Sequence, residues 1–88
     1  MHYIVAYDVC SDRRRQKVVN TLKDYGLRVQ YSVFDCDLKR QDLAELRTRL
    51  RAAINQKTDR LHFYPLCENC YYQGERYGRG DVILDDNL

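Results

Sequence analysis

The chain has 88 residues, 44% hydrophobic and 32% charged, with a formal net charge of +2. That composition suits one folded domain and excludes a low-complexity, collagenous or charge-dominated disordered chain. No stretch reaches the length of a membrane span, and MHYIVAYDV has neither the basic leader nor the cleavage site of a secretion signal. We expect a cytoplasmic protein whose four cysteines start as reduced thiols rather than a disulfide framework. A chain this short buries a modest core and often gains stability by oligomerising. The net charge hides an asymmetry: residues 1–66 hold 13 Lys and Arg against 8 Asp and Glu, whereas residues 67–88 hold 2 against 5. A basic body suits a polyanionic partner, although the acidic tail could equally shield it.

The first strand is expected at Tyr3-Ile4-Val5-Ala6-Tyr7-Asp8-Val9. Alternation puts Tyr3, Val5, Tyr7 and Val9 on one face and Ile4, Ala6 and Asp8 on the other. Both faces are apolar apart from Asp8, as in a strand covered on both sides. An acid at such a strand end must be solvated, paired or metal-bound. It is either an ordinary surface carboxylate or a catalytic or metal-binding one.

Ser11 is a good N-cap for a helix to about Tyr25, with Gly26 as its stop and Val18, Val19, Leu22 and Tyr25 as its apolar stripe. Arg13, Arg14 and Arg15 crowd its first turn, where the helix dipole disfavours cations. Arg15 also falls on the stripe. Either its stem packs and its head reaches water, or its guanidinium is held near the end of the first strand, close to Asp8.

Arg28 to Leu38 is long for one strand, so a bend or division near Ser32 is expected, although no Gly or Pro marks it. A second helix is expected from about Arg40 to Ile54, on the stripe Leu43, Leu46, Leu50, Ala53 and Ile54. Arg40, Arg47 and Arg51 form a row beside that stripe, either a solvated flank or a track for a phosphate backbone. Asn55 to Asp59 reads as a loop. Arg60 to Tyr64 reads as a strand ended by Pro65, in which His62 is a strand residue rather than a ligand. Residues 67–80 look like a loop or arm, and Asp81 to Leu84 like a short final strand.

Cys67-Glu68-Asn69-Cys70 has half of a common zinc spacing, but no second pair follows, so two ordinary thiols remain the simpler account. Cys10 and Cys36 have no adjacent His base, which gives no support for a thiol nucleophile. There is no Gly-rich phosphate loop, nucleophile elbow or metalloprotease helix. Tyr7 and Phe34 lie next to the interesting strand ends, where they either pack or stack on bases.

Taken together, YIVAYDV, the R-R-R-x-K helix start, Y-G-L-R-V-Q-Y-S-V-F-x-x-D-L, the leucine-striped helix and the strand ending Y-P-L resemble CRISPR-associated protein 2. The resemblance spans residues 1 to about 66. It implies an α+β, ferredoxin-like βαββαβ core over residues 1–66. It also implies a prokaryotic homodimer packed through the open sheet faces. We expect residues 67–88 to form a C-terminal arm, whose short extra strand pairs across the dimer. The family's metal-binding aspartate falls on Asp8, and its neighbouring positions fall on Tyr7, Arg15, Arg28 and Phe34, with Lys17 where a basic residue is usual. The CENC segment and the acidic tail depart from the family pattern.

The resemblance therefore implies a role in capturing new CRISPR spacers beside an integrase subunit. It implies endonuclease capacity on RNA or double-stranded DNA, with one Mg2+ or Mn2+ shared by Asp8 of both subunits. Arg15, Arg28 and Lys17 would bind nucleic acid, Tyr7 or Phe34 would position it, and the row Arg40, Arg47 and Arg51 is a further candidate. The alternatives are a non-catalytic DNA-binding scaffold and a toxin of similar fold that cleaves messenger RNA.

Overall fold

The computed structural model describes residues 1–67. The elements run β1 (His2–Asp8), α1 (Asp12–Lys23), β2 (Gly26–Gln30), β3 (Val33–Asp37), α2 (Arg40–Ala53) and β4 (Arg60–Leu66). The strands form one antiparallel sheet in the order β2-β3-β1-β4. This is the ferredoxin-like α+β fold, in which the first strand lies inside the sheet between the third and the fourth.

Alternation along β1 decides the layering. Val5 and Tyr7 are buried, and they join Phe34 and Cys36 of β3 with Val18, Val19 and Leu22 of α1 and Leu46, Leu50 and Ala53 of α2 in one core. Both helices therefore cover the same sheet face. Burying each large side chain of this core contributes about 1.5–3 kcal/mol. Cys36 is fully buried, and burial, with Asp35 beside it, pushes its thiol up to about 12. The opposite face carries Ile4, Ala6 and Val33, all half-buried, with Tyr64 and His62 of β4 exposed. On this face Ile4 stands opposite Tyr64 and Ala6 opposite His62, and the two β4 rings stack with centroids 6.0 Å apart.

Ser11 caps α1 as expected, accepting from the Arg14 N–H at 3.3 Å. Asp12 in the same turn offsets part of the unfavourable arginine cluster. The helix ends at Lys23, two residues earlier than expected, and Gly26 is not its stop. Gly26 opens β2 instead, packed so tightly that a Cβ there would lie 2.3 Å from the Asp35 carbonyl oxygen and 2.7 Å from Cys36 Sγ. Its missing side chain serves close approach between strands.

The division between β2 and β3 falls at Tyr31–Ser32, as the excess length predicts. A register shift precedes it. Arg28 pairs with Phe34 but Gln30 with Val33, which leaves Val29 as the extra residue of a bulge. A bulge sharpens strand twist, so the chain reverses here without Gly or Pro. β4 continues through Pro65 to Leu66, beyond the expected end at Tyr64. β4 is an edge strand, where a residue lacking an N–H is tolerated. The expected strand at residues 81–84, the arm beyond Cys67 and Cys70 with it lie outside the described residues. Among the described residues, no helix is long and apolar enough to cross a membrane.

Candidate nucleic-acid and metal site

The site lies where β1 ends. Tyr7 points to the helix face and is nearly buried, whereas Asp8 points to the opposite face and is exposed. The two residues therefore look onto different sides of the same strand end. Among the described residues, nothing hydrogen-bonds or ion-pairs with the Asp8 carboxylate. Arg60 stands opposite Asp8 in the β1–β4 register.

Under Tyr7 lies a cleft of about 280 Å³ lined by Tyr7, Asp12, Arg15, Gln16, Val19, Arg28, Tyr31 and Ser32. The Tyr7 hydroxyl donates to the Tyr31 carbonyl at 3.1 Å, and the Tyr7 N–H to the Ser32 carbonyl at 3.1 Å. These bonds fix the β2–β3 turn against the strand end. Arg28 Nη2 lies 3.5 Å from the Tyr7 hydroxyl, and its guanidinium sits 5.6 Å from the Phe34 ring centroid. Burial pushes the Tyr7 phenol up, and the Arg28 charge acts in the opposite direction.

Arg15 is held on the other wall. Its Nη1 donates to the Val9 carbonyl at 2.7 Å, and its Nη2 pairs with Asp12. The guanidinium is thus held beside the end of the first strand, but its carboxylate partner is Asp12 and not Asp8. Both ends of the planar fork are anchored, which fixes the guanidinium on the cleft wall.

The sequence-derived candidates divide by location. Tyr7, Arg15 and Arg28 line the cleft, and Asp8 stands behind it on the far face of β1. Phe34 is fully buried in the core. Of the two roles open to it, packing or stacking on a base, the structure shows the packing, with the Arg28 guanidinium against its ring. Lys17 is exposed on α1 outside the cleft lining. Arg47 and Arg51 line a different cleft of about 370 Å³ with Ile54, Gln56, Asp59, Leu61 and Phe63, and Arg47 lies 6.0 Å from the Phe63 ring centroid. Arg40 is exposed at the start of α2 and lines neither cleft.

Asp59 is a site residue that sequence reasoning passes over. Its side chain is fully buried beside the half-exposed Arg14, which donates from Nε at 2.8 Å and from Nη2 at 3.2 Å. It also accepts from the Cys10 N–H at 3.0 Å, the Asn55 N–H at 2.8 Å and the Thr58 hydroxyl at 3.2 Å. Arg14 foremost, then these smaller donors, hold the carboxyl well below the usual carboxylate range against the opposing effect of burial. The signal available in the sequence is an acid just before a strand and more arginine in the α1 first turn than a helix start wants.

The donor chemistry at Asp8 suits a hard divalent cation, since Mg2+ is usually held by one or two carboxylates with water and substrate phosphates. Among the described residues, no three His, Cys, Asp or Glu side chains converge to hold a metal. Asp8 by itself offers one carboxylate, within the one or two that such an ion commonly takes.

The chain is thus a small ferredoxin-like α+β domain with an exposed carboxylate at the end of β1 and an arginine-lined cleft on the other face of that strand. The chain belongs to the family CRISPR associated protein Cas2, whose model matches residues 1–73. A CRISPR-associated endoribonuclease Cas2 of Synechocystis sp. is 45% identical over 76 residues, covering 86% of this chain and 83% of that protein. The crystal structure of Streptococcus pyogenes Cas2 is similar with a TM-score of 0.79 at 35% identity, covering 89% of this chain and 100% of that one. A chain in a partial Cas6-RT-Cas1–Cas2 complex is similar with a TM-score of 0.72 at 29% identity, covering 94% of this chain and 88% of that one. Family membership decides against the toxin alternative.

Proposed function

We propose that the chain is a homodimeric CRISPR adaptation protein with metal-dependent phosphodiesterase capacity on RNA or double-stranded DNA, working beside an integrase subunit. The observation that carries this reading is Asp8, an exposed carboxylate with no partner among the described residues, at the strand end that also forms the Arg15–Arg28 cleft. Asp8 lies on the same sheet face as Ile4 and Ala6, which are half-buried, and Tyr64, which is 51% exposed. A second chain packed on this face would bring two Asp8 carboxylates toward one axis, which supports a shared site. The names of the Synechocystis relative and of the Cas1–Cas2 complex support the nuclease and integrase halves of the reading.

Asp8 of both subunits would hold Mg2+ or Mn2+, and the bound ion would polarise a phosphate and lower the pKa of a water. The chain's own residues bind and orient. Arg15, fixed by the Val9 carbonyl and Asp12, presents its remaining N–H groups to a phosphate. Arg28 places a second cation across the cleft, and Lys17 adds charge on the exposed flank of α1. Tyr7 anchors, through its hydroxyl on the Tyr31 carbonyl, the turn that forms the cleft wall.

A second reading is a DNA-binding scaffold without cleavage, in which the Arg15–Arg28 cleft binds and Asp8 is dispensable. Purified protein tested on RNA and on duplex DNA, with Mg2+, Mn2+ or EDTA, separates the two. We expect cleavage that needs metal and that Asp8→Asn abolishes, with the dimer intact. Binding without cleavage under every metal would establish the scaffold instead.

A further inference from the structure

We infer that Asp59 is a positioning residue for Asp8: with Arg14, it staples the turn that follows Asp8 to the turn that precedes β4. The inference rests on the proposed role of Asp8.

Two turns meet at this carboxylate. Residues 9–11 leave the end of β1, and residues 55–59 lead into β4. Oδ1 of Asp59 accepts from the Cys10 N–H, two residues beyond Asp8, and Oδ2 accepts from the Asn55 N–H. The Cys10 thiol repeats the link, donating to the Thr58 carbonyl at 3.3 Å. Arg14 closes the cluster from the first turn of α1, with Nε on Oδ2 and Nη2 on Oδ1. The next residue, Arg15, holds the Val9 carbonyl at 2.7 Å. The backbone of Val9 and Cys10 is therefore tied on two sides just after Asp8, and β-pairing ties it before, with Asp8 opposite Arg60.

This arrangement answers a need that Asp8 creates. An exposed carboxylate with no partner of its own has nothing but its backbone to set its position. A shared metal site tolerates only about 0.5 Å of misplacement of its ligands. Groups that orient a ligand without touching the metal typically account for about 10–100-fold in affinity or activity. Asp59 suits that part better than a solvated acid would, because its side chain is fully buried and every bond it makes is to the two turns or to α1.

Asp59→Asn tests this. The amide keeps the shape but turns one acceptor oxygen into an N–H group facing the N–H donors of Arg14 and a backbone amide. Arg14→Lys is the companion variant, since it keeps the charge and loses the fork. Both are compared with wild type and Asp8→Asn at a temperature where circular dichroism shows the variants folded. Mn2+ is titrated into the full chain while amide broadening at residues 8–10 is followed by nuclear magnetic resonance, and cleavage is resolved into kcat and KM. We expect Asp59→Asn to raise the Mn2+ midpoint at least tenfold and to lower kcat at least tenfold, with KM for nucleic acid within twofold. Arg14→Lys should fall between it and wild type. A folded Asp59→Asn protein with the wild-type midpoint and kcat would overturn the inference while Asp8→Asn still loses both. Should Asp59→Asn not fold, wild-type behaviour of Arg14→Lys overturns it equally. If wild type shows neither Mn2+ broadening at Asp8 nor cleavage sensitive to Asp8→Asn, the reading of Asp8 itself fails and this inference with it.

Discussion

Asp59 makes stability depend on acid as well as on packing. Arg14 and the surrounding donors depress its folded pKa, whereas an unfolded Asp titrates near ~3.9. Between those values the unfolded chain takes up a proton that the folded chain refuses. The stabilisation is therefore present in full above about pH 5 and is lost as pH falls through the folded pKa. Melting curves of wild type and Asp59→Asn should differ most near neutrality, with wild type higher, and converge as pH drops below about 4. Parallel curves across that range would separate the Arg14 pair from acid sensitivity. Asp8 differs from Asp59 in both respects that matter here: it is exposed and lacks a partner among the described residues.

At the scale of elements, Gly26 shows how β2 is fitted to β3. A methyl group there would meet backbone and a buried thiol, neither of which can swing away. Gly26→Ala is expected to destabilise the protein by about 1–3 kcal/mol, the usual cost of overpacking, measured by urea denaturation. An unchanged midpoint would mean that β2 shifts outward freely. The helices are legible in the sequence because Val18, Val19 and Leu22, and then Leu46, Leu50 and Ala53, recur at helical spacing and are the residues buried. The division of β2 from β3 is legible only as excess length, since a bulge at Val29 makes the break and bulges carry no fixed residue signature. Gly26 misleads for a related reason, because glycine serves both helix ends and close strand packing. Arg15 comes to the end of β1 as chain order predicts, since a short turn joins β1 to α1, whereas Arg28 reaches the same cleft from β2, a position that only the family resemblance pointed to. Asp59 stays hidden because its role arises from a contact with Arg14, 45 residues away in sequence.

Across the whole molecule, the arginines face two different ways. Arg15 and Arg28 share the cleft under Tyr7, while Arg47 and Arg51 line the one beside Phe63. Each phosphate contact removed is expected to flatten the salt dependence of binding by about one unit of slope. Alanine substitutions at Arg15 and Arg28 should each show this in titrations on duplex DNA at several salt concentrations. Arg47→Ala and Arg51→Ala that leave both affinity and slope unchanged would mark the α2 row as a solvated flank.

The burial of Cys36 gives the molecule a built-in gauge. A thiol pushed up to about 12 and fully enclosed is nearly inert toward alkylating reagents while the sheet stays closed. It becomes reactive only when the core around it opens. The rate at which Cys36 acquires a label, read by mass spectrometry, therefore reports the fraction of time the core is open when closing outpaces labelling. The exposed Cys10 and Cys67 serve as internal standards for reagent strength in the same sample.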